Sequence, residues 1–259
     1  MNETPNTQSA AAPMQQGMRA VQVLRQRLND VLIGQSKVVD EVLTVFLAGG
    51  HVLLEGVPGT GKTLLVRSLA QTFAGEFRRI QFTPDLMPSD VTGHYRYDAH
   101  NNRFELRQGP VFTHLLLADE INRAPAKTQS ALLEVMQERS VTLDGNTHRL
   151  PSPFMVLATQ NPIEQEGTYP LPEAQLDRFM FKVMIGYPNH QDETRMVGAV
   201  IASRGNDILN DNTPQHVFQP QQIEQLQKLA TRVQVDPQII DYAVRLVQST
   251  RDWPAPASP

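Results

Sequence analysis

Cysteine is absent from this 259-residue chain. That excludes a disulfide framework and any thiolate-held metal. It fits a reducing compartment, so a cytoplasmic protein is expected. Long apolar runs are also missing. No stretch approaches the roughly 18 residues that a membrane-spanning helix needs. The first residues lack a basic start followed by an apolar core, so no secretory signal is read. Surplus positive charge is missing too: 23 Lys and Arg stand against 27 Asp and Glu, for a net charge of −4. Non-specific nucleic-acid binding draws on such a surplus, so nucleic acid is not an expected partner. The seven histidines are scattered and form no H-x-x-x-H pair. Magnesium, an oxygen-seeking ion, is therefore the only metal expected.

What is present is the composition of a globular chain, 40% hydrophobic and 19% charged, long enough for one or two domains. Its most informative stretch is Gly56-Val57-Pro58-Gly59-Thr60-Gly61-Lys62-Thr63, which fits the phosphate-loop pattern G-x-x-x-x-G-K-[ST]. A strand-like run, residues 51–55, precedes it, and Leu64, Leu65, Val66, Leu69 and Ala70 follow at helical spacing. Glycines let backbone N–H groups approach phosphate oxygens, and a helix N-terminus adds partial positive charge. The expected nucleotide contacts are Gly56, Pro58, Gly59, Thr60, Gly61, Lys62, Thr63 and Leu64. Lys62 can reach the β- and γ-phosphates, and Thr63 can hold Mg²⁺.

Four more apolar runs, around Ile80–Phe82, Leu115–Ala118, Met155–Ala158 and Phe181–Ile185, read as buried strands. With residues 51–55 they predict an α/β fold whose five-stranded parallel sheet is covered on both faces. Ligands in such sheets bind at the carboxyl ends of the strands. There the run Leu115–Ala118 leads into Asp119 and Glu120. Asp119 is assigned to the metal and Glu120 to polarising the attacking water. Asn161, just beyond the run Met155–Ala158, could contact the γ-phosphate or the water, although Asn before Pro also opens turns. Arg178 offers a planar fork suited to a phosphoryl group, supplied from a neighbouring subunit, unless it pairs locally with Asp177 or Glu173.

Residues 1–17 are read as a disordered tail, followed by an amphipathic helix carrying Val21, Leu24, Leu28, Val31 and Leu32. A second helix is expected over 36–48, with Ser36 placed to cap it. Two β-hairpins are predicted, one within 83–112 and one over 140–150 around Asp144-Gly145. Their task stays open between idle surface and action on a client. From about Tyr187 the chain turns helical, and Asp236-Pro237 should start its last helix.

The order of phosphate loop, Asp119-Glu120 and Asn161 is that of the AAA+ ATPases. Asp119-Glu120-Ile121-Asn122-Arg123-Ala124-Pro125, the runs 129–138 and 158–162, and Glu173-Ala174-Gln175-Leu176-Asp177-Arg178-Phe179 resemble the MoxR family over about residues 18–252. The resemblance implies a nucleotide-binding core over 18–186 and a helical lid over 187–259. It places Gly34 and Gln35 near the adenine and makes Arg178 the trans-acting finger. It implies ATP or ADP with Mg²⁺, a homo-oligomer of hexamer type, a partner bearing a von Willebrand factor A domain, and a protein client. The family's lid continues to a Gly-Ala-Ser-Pro-Arg-like motif that these 259 residues do not contain, so the lid is read as incomplete. The function expected is chaperone-like remodelling of a partner complex driven by hydrolysis. A nucleotide-gated scaffold with slow hydrolysis is the alternative. A helicase-like motor fits less well, because the hairpin tips lack lysine and arginine.

Overall fold

A computed structural model describes residues 7–57, 59–160, 168–202 and 217–251, with side chains from residue 12 onward. Its centre is a five-stranded parallel sheet made of β1 (Val52–Glu55), β2 (Phe77–Gln81), β5 (Leu115–Asp119), β8 (Met155–Gln160) and β9 (Phe181–Met184). The strand order is β2-β5-β8-β1-β9. The sequence runs explain that arrangement. Leu115, Leu116, Leu117 and Ala118 are all fully buried, as are Val156, Leu157 and Ala158, so both faces of the central strands are covered.

Side chains alternate between two cores, with the period of two that a strand imposes. Val52, Leu54, Leu115, Leu117 and Leu157 enter one core, together with Leu24, Leu28, Val42, Phe46, Leu65 and Phe73. Leu53, Leu116, Ala118 and Val156 enter the other, with Phe82, Val91, Leu132 and Met136. The first core is roofed by α1 (Thr7–Val31), α2 (Ser36–Ala48) and α3 (Lys62–Thr72). The second lies under α4 (Pro88–Thr92) and α5 (Ala126–Glu138).

The expected hairpins both form. β3 (Gly93–Asp98) pairs antiparallel with β4 (Arg103–Gln108), and β6 (Ser140–Leu143) with β7 (Asn146–Arg149). They meet where Tyr95 Oη lies 3.2 Å from His148 Nε2. The short helix α6 (Glu173–Leu176) precedes β9. Beyond the sheet come α7 (His190–Ala202), α8 (Pro220–Ala230) and α9 (Pro237–Arg251). α8 is anchored on the core: Ile223 is fully buried and Gln227 donates to Phe46 O at 2.7 Å. Asp236 starts α9 as read, its Oδ1 accepting the Gln238 N–H at 2.8 Å.

Two local expectations are corrected. The tail assigned to residues 1–17 is helical from Thr7. Its Gln, Ala and Met residues favour helix, and Gly17 is buried against α8, where a Cβ would stand 2.4 Å from Leu229 Cδ2. Ser36 is not the cap of α2; Gln35 takes that position, following Gly34 at φ +79°.

Candidate functional site

The phosphate loop leaves β1 at Glu55 and turns at glycines, one hemmed in by backbone and two at positive φ. At Gly56 a Cβ would meet Ile185 O at 2.4 Å. Gly59 and Gly61 take φ of +83° and +86°, the left-handed region that costs a side chain about 1–2 kcal/mol. Gly61 is the N-cap of α3, so the first-turn amides of that helix have no intrahelical acceptor. Thr60 Oγ1 donates to Val57 O at 3.0 Å and tightens the loop. Lys62 Nζ folds back on Gly56 O at 2.6 Å and Val57 O at 3.2 Å. Partial burial pushes its pKa down, while Asp119 and Glu120 pull it up.

Facing the loop are the ends of β5, β8 and β2. Thr159, only 1% exposed, joins the two acids: its Oγ1 donates to Asp119 Oδ1 at 2.6 Å and accepts the Glu120 N–H at 2.8 Å. Glu120 sits at φ +55°, an uncommon conformation for a residue with a side chain. Its Oε2 accepts from Gln81 Nε2 at 2.8 Å and pairs with Arg123 at 3.2 Å. Asp119 Oδ2 accepts from Arg79 Nε at 3.1 Å and Nη2 at 2.6 Å. The turn after the acids is pinned from below. Fully buried Gln129 donates to Ile121 O, Ala124 O and Tyr169 O at 2.9–3.2 Å.

Between the two sides lies a cleft of about 430 Å³. Gly59, Gly61, Lys62, Thr63 and Leu64 line one wall, and Arg79, Gln81, Asp119, Glu120 and Thr159 the other. Its volume is in the range of small-molecule sites. Hydroxyl and carboxylate oxygens from Thr63 and Asp119 suit a hard cation such as Mg²⁺. No group of three or more His, Cys, Asp or Glu forms a metal cage among the described residues. A magnesium ion that arrives on phosphates needs none, since it keeps most of its water and phosphate ligands.

Among the described residues, Gly34, Gln35 and Arg178 do not line this cleft. Gly34 and Gln35 pack against the chain leaving β9: Gln35 Nε2 donates to Gly186 O at 2.9 Å, and a Cβ at Gly34 would meet Asp192 and Pro188. Leu32, two residues before Gly34, reaches to 3.9 Å of a Cβ placed at Gly61, so the turn borders the loop. Arg178 is exposed and donates to Ala174 O at 2.7 Å. Pro58 and Asn161 lie outside the described residues. Thr159, Arg79, Gln81 and Arg123 were not singled out from the sequence. Thr159 had a signal, a hydroxyl opening the polar run that ends β8, and Arg123 lies in the run Asp119–Pro125 that carries the resemblance; nothing in the sequence marked Arg79 or Gln81.

A glycine loop on a helix N-terminus, opposite paired acids on the adjacent-but-one strand, within sheet order β2-β5-β8-β1-β9, defines a phosphate-loop nucleotide-binding protein of the AAA+ type. The family model described as "ATPase family associated with various cellular activities (AAA)" matches residues 51–181. "Chaperone MoxR1" of Mycobacterium tuberculosis is 48% identical over 223 residues, which cover 85% of this chain and 57% of that protein. "Uncharacterized protein YeaC" of Bacillus subtilis is 49% identical, covering 89% and 70%. "Protein MoxR" of Paracoccus denitrificans is 36% identical, covering 62% and 48%. A crystallised protein of Cytophaga hutchinsonii, described as an ATPase candidate, superposes with a TM-score of 0.84 at 42% identity. That match covers 94% of this chain and 72% of that one. The chain belongs to the MoxR family of AAA+ ATPases, and it spans roughly half to seven tenths of these curated relatives.

Proposed function

We propose that this chain binds Mg·ATP in the cleft between Gly59–Leu64 and Asp119–Glu120 and hydrolyses it to drive chaperone-like remodelling of a partner protein. The observation that carries the reading is the single hydroxyl of Thr159, which holds Asp119 and Glu120 together opposite Lys62 and Thr63. Free amides at the start of α3 receive phosphate oxygens, and Lys62 exchanges its loop carbonyls for them. Thr63 and Asp119 hold magnesium, which supplies neutralisation of charge on the phosphates. Glu120 accepts the proton of the attacking water, and Asn161 orients the γ-phosphate or that water.

Arg178 is exposed and is not among the residues that line the cleft, which suits delivery to a neighbouring subunit. A ring of hexamer type, placed in the cytoplasm, follows from the family resemblance. So do a partner with a von Willebrand factor A domain, adenine recognition near Gly34 and Gln35, and a helical lid beginning near residue 187. The two hairpins, joined at Tyr95 and His148, are the surfaces offered to a client. Because Gln81 and Arg123 already hold Glu120, a slow nucleotide-gated scaffold is the second reading; turnover stimulated by client separates the two. The direct test is Glu120→Gln, which should keep ATP affinity and lower turnover about 10²–10⁴-fold, the weight of a general base. An unchanged rate removes Glu120 from the chemistry.

A further inference from the structure

One cation in the cleft has no part in the hydrolysis just described. Arg79 stands on the edge strand β2, and both Nε and Nη2 converge on a single oxygen, Asp119 Oδ2, at 3.1 and 2.6 Å. A carboxylate oxygen has about two lone-pair sites, so these two donors fill that atom. The other oxygen accepts from Thr159. Oδ2 therefore presents no free lone pair to a metal's water shell while Arg79 is in place, and Oδ1, with one donor from Thr159, keeps one. The same Nη2 lies 3.3 Å from Gln81 Oε1, and the Gln81 amide donates in turn to Glu120.

We propose that Arg79 is a positioning residue that caps Asp119 Oδ2 and gives that oxygen up when magnesium enters with the nucleotide. The proposal rests on the Mg·ATP reading of this cleft. Two cations cannot share one filled oxygen. A carboxylate with a side chain only 14% exposed is costly to leave without a partner, so a resident guanidinium fills the interval between metals. Arg79 itself is half exposed, which gives its arm an open path into solvent. Its departure also frees the Gln81 oxygen, so metal arrival reaches one of the two residues that hold Glu120.

The test is calorimetric titration with ADP, in magnesium and in EDTA, on wild type, Arg79→Ala and Arg79→Lys. Thermal melts in EDTA check folding, and Arg79→Lys keeps the charge without the fork. The ratio of the EDTA Kd to the magnesium Kd measures what the metal contributes. Removing the competing donors should raise that ratio about tenfold in Arg79→Ala, the worth of one charge-assisted hydrogen bond. Arg79→Lys should keep the wild-type Kd in EDTA and show part of the gain. A ratio unchanged or lowered in both variants, with wild type binding ADP better in magnesium, overturns the role of Arg79 alone. Weaker binding of both variants in EDTA as well as magnesium would make Arg79 a phosphate ligand and also overturn it. If wild type binds ADP in neither buffer, the reading of the cleft fails, and Arg79 with it.

Discussion

Thr159→Val removes one oxygen and leaves the shape of the side chain almost unchanged. Thr159 is 1% exposed, and its hydroxyl makes two bonds, to Asp119 Oδ1 at 2.6 Å and from the Glu120 N–H at 2.8 Å. A methyl group there satisfies neither. Each buried group deprived of its partner costs about 1–3 kcal/mol. Asp119 keeps Arg79 and some exposure to water, so the expected sum is about 2–4 kcal/mol. For a domain of this size that corresponds to roughly 5–15 °C in Tm.

The loss also reaches the chemistry. Glu120 holds φ +55°, a conformation worth about 1–2 kcal/mol of strain that its anchored N–H helps to sustain. Freed, it relaxes and carries its carboxylate off line, so turnover should fall at least about tenfold. Urea titration followed by circular dichroism and a steady-state phosphate-release assay measure the two effects. Thr159→Ser should restore both. A Thr159→Val variant within about 0.5 kcal/mol of wild type, turning over at the wild-type rate, would refute the idea that this hydroxyl sets the acids.

His51 and Arg178 carry two further predictions. His51 is buried, accepts the Val156 N–H on Nδ1 at 2.9 Å and places Nε2 3.1 Å from Met136 O. A second proton would set an N–H against that N–H, and burial pushes the pKa down to about 4. The unfolded chain takes up the proton near pH 6.5 and the folded one only near 4, so stability falls as pH drops through that window. The slope is about 1.4 kcal/mol per unit and the total about 3 kcal/mol. Urea midpoints of wild type and His51→Gln across pH 4–7.5 should diverge accordingly; parallel curves would contradict it. Arg178→Ala should bind ADP normally yet turn over slowly, and mixing it with Glu120→Gln should recover activity above either alone, because some interfaces regain both groups. No recovery on mixing, or full activity in Arg178→Ala, would count against a trans-acting role.

Much of this was legible in the chain because it is written locally. The phosphate loop, the two acids and the five apolar runs are contiguous segments, and each became the expected loop or strand. The Asp144-Gly145 turn likewise predicts its hairpin, since the turn residues and the flanking alternation lie within ten positions. The partners of the acids were not legible. Arg79 and Gln81 reach Asp119 and Glu120 across some 40 residues, and only the pairing of β2 beside β5 brings them together. On an edge strand such residues look like any solvated polar face. The start of α1 was missed because a segment rich in Gln and Ala has no apolar stripe. What holds it is Gly17 against Leu229, a contact over 200 residues away. Ser36 has the right chemistry for a cap, but the left-handed turn at Gly34 sets the helix one residue earlier.

Titration calorimetry of the folded chain with Mg·ATP, beside Lys62→Ala, tests the central claim most directly. Lys62 Nζ donates to the loop carbonyls Gly56 O and Val57 O, so its loss should spare the fold while removing the ammonium that phosphates would meet. The expected result is one saturating site in the wild type and none in Lys62→Ala at the same concentrations. Heat-silent wild type, or a variant that binds equally well, would contradict the account.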